Sequence, residues 1–261
     1  MARTDTLTNF LTDVAEAIRT KGGTTDTINA SEFDTAIANL PSGGGSGEVS
    51  EFESEYVAWL ESDKAMTSSQ LPLPSNATKI GGFSFYKLSN LSITSLPDSI
   101  TSIGQYAFEG CSNLALTSLP SRLKSVDYRT FASCSKIKIT SLPNTLTTLG
   151  QRSFYSCTGV AITSLPNGLT DIPTECFSGC TGITKLSIPS SVTSIGVSAF
   201  NGCRNIVEYD FSTATQVPTL SDTSAFNNIN ANCVIKVPSA LYDEWIAATN
   251  WSTYADKIVA V

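Results

Sequence analysis

The stretch SLPDSITSIGQYAFEGC, residues 95–111, decides the fold because its pattern returns along the chain. Phe108 belongs to a series of phenylalanines spaced 23 residues apart, and Pro97 and Ile103 belong to two further series with the same spacing. One 23-residue unit is too small to bury its own apolar side, so the units must stack into a solenoid with one continuous core. The phenylalanines of the six units are Phe85, Phe108, Phe131, Phe154, Phe177 and Phe200.

Cys111, at the end of the stretch, belongs to a series of cysteines that follow the phenylalanines by three positions. In the first unit this position is Leu88, so it behaves as an apolar slot and we expect buried free thiols. Neighbouring rungs lie within disulfide range, but parallel side chains in a stack do not point at one another, and zinc needs converging ligands. The series is Cys111, Cys134, Cys157, Cys180 and Cys203, while Cys176 and Cys233 fall outside it without an assigned role.

The amino-acid composition argues against several classes of function. The chain has 261 residues, a net charge of −7 and no histidine. The negative charge argues against a nucleic-acid partner, because neutralising phosphates requires a basic surface. Because it has no histidine, the chain lacks the commonest metal ligand and the usual general base of catalysis. The sequence also contains no phosphate-binding loop. We therefore expect no enzyme, no cofactor and no metal. The lack of a signal peptide or a long apolar stretch predicts no membrane insertion.

The stretch LSIPSSVTSIGVSAFNGC, residues 186–203, resembles the consensus of BspA-like leucine-rich repeats, and the resemblance covers about residues 73–207. It implies a β-rich repeat solenoid of the leucine-rich-repeat type with 23-residue rungs. Each rung would contain a strand, a turn with a second short strand, and a compact segment that holds the Phe and the Cys. Such solenoids are typically adhesive or interaction modules.

The ends break the repeat and are predicted to be partly helical. The N-terminal segment carries apolar residues at helical spacing, which form a candidate anchoring face: Leu7, Leu11, Val14, Ile18, Phe33, Ile37 and Leu40. Near the C-terminus, a strand and a helix are expected to place Leu241, Trp245 and Trp251 over the open end of the core, with the tryptophans packing rather than binding sugar. The segments are 1–41 (helical, anchoring), 42–50 (Gly/Ser-rich linker), 51–72 (helical N-cap), 73–207 (six repeats) and 208–261 (C-terminal cap).

The strand that precedes each repeat proline poses a register problem. The first unit reads LSITSLP (91–97), whereas the fifth reads ITKLSIP (183–189) with Leu186 and Ile188 inward and Lys185 outward. With a shared register, the threonines of the earlier units would face the core and four aliphatic residues would form an exposed stripe. A bulge at each Thr-Ser pair would instead keep the aliphatic residues inside, and we favour it because an exposed stripe invites aggregation. The four residues are Ile93, Leu116, Ile139 and Ile162.

One outward series departs from Ser and Thr and runs Tyr106, Arg129, Arg152 and Glu175. The favoured interpretation is a solvated face with an ion pair between Arg152 and Glu175. The alternative is a patch that binds an anionic glycan or wall polymer. The candidate ligand-binding surface comprises Tyr106, Arg122, Lys124, Arg129, Lys136, Lys138 and Arg152.

Residues 6–43, at the N-terminal end, resemble short segments that open tail, baseplate or appendage proteins of bacteriophages, and residues 237–261 look like the terminus of BspA-like repeats in similar phage proteins. This resemblance implies a non-enzymatic virion appendage (tail, baseplate or head fibre) made in the host cytoplasm. Residues 1–41 would bind other virion structural proteins, and the solenoid would bind a host cell-surface glycan or protein, with homo-oligomerisation left open. The alternatives are a BspA-like adhesin on a bacterial cell surface and a purely structural virion decoration protein.

Overall fold

Short parallel strands that recur every 23 residues define the architecture. The computed structural model describes residues 77–261, which wind as a parallel β-solenoid of about eight turns. The predicted fold class is thereby confirmed. The predictions for the helical segment 1–41 with its anchoring face, the linker 42–50 and the N-cap 51–72 lie outside the described residues.

The described strands form two sides of the rungs. They are β1 (Lys79–Ile80), β2 (Ser102–Ile103), β3 (Ser125–Val126), β4 (Thr148–Leu149), β5 (Asp171–Ile172), β6 (Lys185–Ser187), β7 (Ser194–Ile195), β8 (Glu208–Asp210), β9 (Thr219–Leu220), β10 (Val234–Val237) and β11 (Ile258–Ala260). On the first side, the sheet β1-β2-β3-β4 is followed by the sheet β5-β7-β9, and on the second side the order is β11-β10-β8-β6. All pairs are parallel, as stacked rungs require.

A column of phenylalanines runs through the core. The rings from Phe85 to Phe200 stack nearly parallel, with consecutive centroids 4.8 to 5.7 Å apart. Phe226 extends the column at 5.5 Å although it follows Phe200 by 26 residues instead of 23. In the first-side strands, the second residue, such as Ile103, is buried, while the first faces outward. Each rung thus adds one ring and one aliphatic side chain to a continuous core.

The register problem is resolved in favour of buried aliphatic residues. Ile93, Leu116, Ile139 and Ile162 are each 0% exposed, and the Thr-Ser pair that follows each of Ile93, Ile139 and Ile162 faces solvent. Two consecutive outward residues have the effect of a bulge, since they restore an inward direction for the next aliphatic side chain. The alternative of an exposed aliphatic stripe is wrong.

In the fifth unit, the two consecutive exposed residues lie further before the proline than in the earlier units. Leu186 and Ile188 are buried and Lys185 is exposed, as predicted. From this unit onward, inward and outward residues alternate up to the proline position, which is the pattern of a regular strand. The second-side sheet accordingly begins at β6, with a single bridge between Ser164 and Ser187 leading into it.

Aromatic residues close the C-terminal end. A helix, α1 (Tyr242–Ala247), lies among three 3-10 turns at Thr223–Phe226, Ser239–Leu241 and Trp251–Tyr254. Trp245 and Trp251 are both 0% exposed and contact each other edge-on at 5.4 Å, while Leu241 is half-buried. The tryptophans therefore pack against the core and offer no platform for sugar. Within residues 77–261, no helix has the length and apolar character needed to span a bilayer.

Candidate binding surface

In each of six rungs, two residues adopt the left-handed backbone conformation, and the first of them is the third residue after the first-side strand. We call these first residues the corner series: Phe83, Tyr106, Arg129, Arg152, Glu175 and Ser198, with φ between 53 and 63°. This conformation is unfavourable for bulky side chains, and Gly or Asn would adopt it more readily. Backbone N–H groups hold it by donating to the next rung, for example from Tyr106 to the Tyr128 carbonyl at 2.9 Å.

Four aromatic residues, which we call the aromatic cluster, gather at the N-terminal end of this series: Phe83, Tyr86, Tyr106 and Tyr128. The Phe83 and Tyr106 rings stack with centroids 4.7 Å apart, and Tyr86 meets both edge-on. Tyr128 contacts Tyr106 edge-on at 5.2 Å. Phe83 is 44% and Tyr86 is 36% exposed, so the cluster presents a contiguous aromatic surface to solvent.

Each arginine of the corner series forms a two-pronged ion pair. Arg129 Nε lies 2.9 Å from Glu109 Oε2, and its second nitrogen contacts the other oxygen of the same carboxylate. Arg152 pairs with Glu175 in the same way, with distances of 2.5 and 3.1 Å. The hydrogen bonds to Glu109 and Glu175 raise the pKa of the two guanidinium groups. The ion pair between Arg152 and Glu175 is the one that the repeat spacing predicts.

Tyr128 links the aromatic cluster to the arginines. Burial opposes ionisation of its phenol, but hydrogen bonds from Tyr106 and Arg152 lower its pKa overall. Burial and the same contact raise the pKa of Tyr106. The Arg129 guanidinium lies 5.9 Å from the centre of the Tyr106 ring, within range of a cation–π interaction.

The structure brings together three of the seven candidate ligand-binding residues, namely Tyr106, Arg129 and Arg152. The remaining four lie in other segments of the rung: Arg122 and Lys124 before β3, and Lys136 and Lys138 beyond the corner, where Lys136 donates to Asn113 at 2.7 Å. Sequence reasoning missed Phe83, Tyr86 and Tyr128. Phe83 could have been found, because it precedes Tyr106 by one repeat period.

A groove of about 390 Å³ runs beside the corner along β1–β4. Its lining includes the outward residues of the four strands and the residues at the strand ends: Lys79, Ser102, Ser125, Thr148, Gly81, Gly104, Asp127 and Gly150. A Cβ atom on Gly104 would lie 2.6 Å from the backbone nitrogen of Gly82. Glycine is therefore needed there for the rungs to approach closely, and it leaves bare backbone in the groove.

The cysteine series lies apart from this surface, inside the core. All five thiols are free and buried, and each donates a hydrogen bond to the carbonyl oxygen of the phenylalanine 26 residues earlier, at 2.9 to 3.1 Å. Burial raises the pKa of Cys111 and Cys203 to about 12. The expected buried free thiols are confirmed, but their role as donors between rungs was not predicted. In the part of the chain that is described, no three His, Cys, Asp or Glu side chains are grouped to hold a metal ion.

Solved structures of other leucine-rich-repeat proteins are similar to this chain. A leucine-rich repeat protein of T. pallidum shares 27% identity with a TM-score of 0.40, covering 51% of this chain and 76% of its own. One from Bacteroides ovatus shares 18% identity with a TM-score of 0.34, covering 62% and 59%. A leucine-rich cell surface protein of Faecalibacterium prausnitzii shares 20% identity with a TM-score of 0.27, covering 64% and 72%. A search of curated proteins found no match.

The comparisons do not support the resemblance of residues 6–43 to phage appendage proteins. They support the repeat itself. The family model described as the BspA type leucine rich repeat region matches in six copies, over residues 64–180 and 154–243. The chain belongs to the BspA-type leucine-rich-repeat family.

Proposed function

We propose that this protein is a non-enzymatic adhesin of a bacterial cell surface that contacts its partner through the five large corner residues, from Phe83 to Glu175, and the aromatic cluster. Membership in the BspA-type repeat family favours this role over that of a virion appendage. The observation that carries the proposal is the recurrence of large side chains at five consecutive left-handed corners, from Phe83 to Glu175.

The energetics of the corner support a binding role. A left-handed conformation costs a non-glycine residue roughly 1–2 kcal/mol, and backbone strain of this kind concentrates at functional sites. Ser198 shows that a small residue fits the same corner, so the fold does not demand bulk there. Tyrosine and arginine are also the side chains that most often dominate binding energy at protein surfaces. Large side chains at these corners are best explained by contacts with a partner.

The solenoid suits adhesion because it is rigid and repetitive. Inter-rung hydrogen bonds and the stacked core fix the spacing of the corner residues, so they meet a partner without further ordering. Several copies on one cell would bind together, and weak individual contacts would add up to firm attachment.

Labelling and adhesion of the full-length protein test the proposal together. Antibody against the protein should decorate intact bacterial cells that express it, and fluorescent full-length protein should bind target cells. Phe83→Asn removes the exposed ring while keeping a residue that tolerates the left-handed conformation, so it should weaken adhesion about tenfold, or ~1.4 kcal/mol. Cells that remain unlabelled, or full adhesion by the variant, would contradict the proposal.

The virion appendage is the second candidate; it rests on the resemblance of residues 6–43 to phage segments, which the comparisons do not support. On this hypothesis, the antibody would decorate purified phage particles and leave uninfected cells unlabelled. A purely structural decoration protein would label particles while the isolated protein adheres to no cell. The same labelling experiment therefore separates all three roles.

A further inference from the structure

The groove along β1–β4 repeats its chemistry from rung to rung. Each of the four rungs contributes one outward strand residue and one residue at the strand end. Stacked parallel strands are spaced by roughly 4.8 Å, which is about the length of one pyranose residue in an extended chain. A linear polymer of sugars could therefore present one residue to each rung.

The groove also offers hydrogen-bonding groups. Within residues 77–261, the hydroxyl groups of the groove-lining Ser102, Ser125 and Thr148 make no hydrogen bond to the protein. A hydroxyl group both donates and accepts, so these groups match sugar hydroxyls in either role.

The aromatic cluster lies close to the groove-lining residues along the chain. Phe83 follows the groove-lining Gly81 by two residues, Tyr106 follows Gly104 by two, and Tyr128 follows Asp127 directly. An exposed aromatic ring packs well against the C–H face of a pyranose, because both surfaces are flat and apolar. Polar groups inside a groove and aromatic rings at its edge form the combination that a carbohydrate requires.

The two arginines near the groove are not free to bind an anionic ligand. The groove and its border carry four cationic and three anionic side chains, a net charge of +1, and both arginines are already paired with carboxylates. A polyanion would have to compete with these ion pairs, whereas a neutral polymer leaves them intact. The charged residues are Lys79, Lys87, Arg129, Arg152, Glu109, Asp127 and Glu175.

We propose that the groove along β1–β4 binds a neutral linear oligosaccharide that lies along the solenoid axis with one sugar residue per rung, while the exposed rings of Phe83 and Tyr86 pack against its edge. This inference rests on the proposed adhesive function and names the ligand class of that surface. It replaces the anionic glycan considered from the sequence with a neutral one.

Calorimetric titration of the full-length protein with oligosaccharides of increasing length tests the proposal. The probes are the cello-, manno- and xylo-oligosaccharides from dimer to hexamer, with hexagalacturonate as an anionic comparison. In at least one neutral series, affinity should rise up to the tetramer and then level off, because the groove spans four rungs. Hexagalacturonate should bind at least tenfold more weakly than the neutral hexamer.

Variants locate the binding and control for misfolding. Ser125→Tyr fills the groove at a half-buried outward strand position, and Tyr86→Ala removes an exposed ring beside it. Each should weaken binding of the neutral tetramer about tenfold or more without lowering the melting temperature. Ser198→Asn, at the same corner position beyond the groove, should bind like the wild type.

Three outcomes would overturn the inference: no neutral oligosaccharide binds, hexagalacturonate binds best, or Ser125→Tyr and Tyr86→Ala leave the affinity unchanged. If the protein still adheres to cells in any of these cases, the ligand class is wrong while the adhesive function stands. If adhesion is also absent, the proposed function fails with it.

Discussion

The hydrogen bond of a buried thiol leads to a specific prediction about Cys157. Its Sγ donates to the Phe131 carbonyl at 2.9 Å, and the side chain is 0% exposed. The same carbonyl also accepts the backbone N–H of Cys134 at 3.0 Å within its own rung. Replacing Cys157 by alanine and by serine separates the packing of the sulfur from its role as a donor.

The contacts of Cys157 determine how much unfolding free energy each variant should lose. Cys157→Ala leaves a small cavity, at a cost of about 1–2 kcal/mol, and removes one hydrogen bond that contributes about 1 kcal/mol, so the loss should total about 2–3 kcal/mol. Cys157→Ser also shrinks the side chain but keeps a donor aimed at the Phe131 carbonyl. We expect the serine variant to be about 1 kcal/mol more stable than the alanine variant.

Urea unfolding of the full-length protein, followed by circular dichroism, checks this order. The slope of free energy against urea should stay constant between variants, since it reports the surface exposed on unfolding. If the slot were merely apolar, a buried hydroxyl without a partner would destabilise the protein by about 1–3 kcal/mol, and serine would be worse than alanine. That order would refute the donor role. Neither variant should change adhesion.

Three further predictions concern the core. Burial holds the pKa of the Cys111 thiol near about 12, against about 9 in an unfolded chain. As the pH rises, the Cys111 thiol therefore loses its proton in the unfolded state before it does so in the folded state. The free energy of unfolding should be constant below pH about 9 and decrease between pH about 9 and about 12. Urea midpoints measured at increasing pH would record this decrease. A Cβ on Gly150 would lie 2.4 Å from the backbone carbon of Asp127, so Gly150→Ala should lower stability by about 3 kcal/mol and reduce the thermal midpoint. Trp251 donates to the Pro218 carbonyl at 2.7 Å, so Trp251→Phe should cost about 2 kcal/mol in urea unfolding, and an unchanged midpoint would show that the contact is dispensable.

Repetition explains why the solenoid could be predicted from sequence. Phe108 and Cys111 each recur with one period, so their burial is supported several times over and single-residue ambiguity averages out. The same period does not determine register. The rule of alternating side chains would have exposed Ile139, and only the preference for burying aliphatic residues selected the arrangement that the structure contains, in which two consecutive residues face outward.

The binding surface was harder to predict, because the 23-residue spacing does not reveal the backbone conformation or the contacts between neighbouring rungs. The left-handed corner is usually signalled by glycine or asparagine, whereas here Tyr106 and Arg129 occupy it. Spacing by 23 residues predicted the partner of Arg152, but Arg129 pairs with Glu109, 20 residues away, so it crosses diagonally between rungs. The donor role of the thiols was also invisible, since a cysteine and a leucine in one slot suggest packing alone.

The central claim is that the five large corner residues, from Phe83 to Glu175, bind the partner. It is tested most directly by measuring adhesion of the full-length Tyr106→Asn and Ser198→Asn variants to the same target cells. Both variants place asparagine at a left-handed corner, so the backbone effect is matched, but only the first removes a ring of the aromatic cluster. We predict about tenfold weaker adhesion for Tyr106→Asn and wild-type adhesion for Ser198→Asn. Equal adhesion by both variants and the wild type would contradict the account.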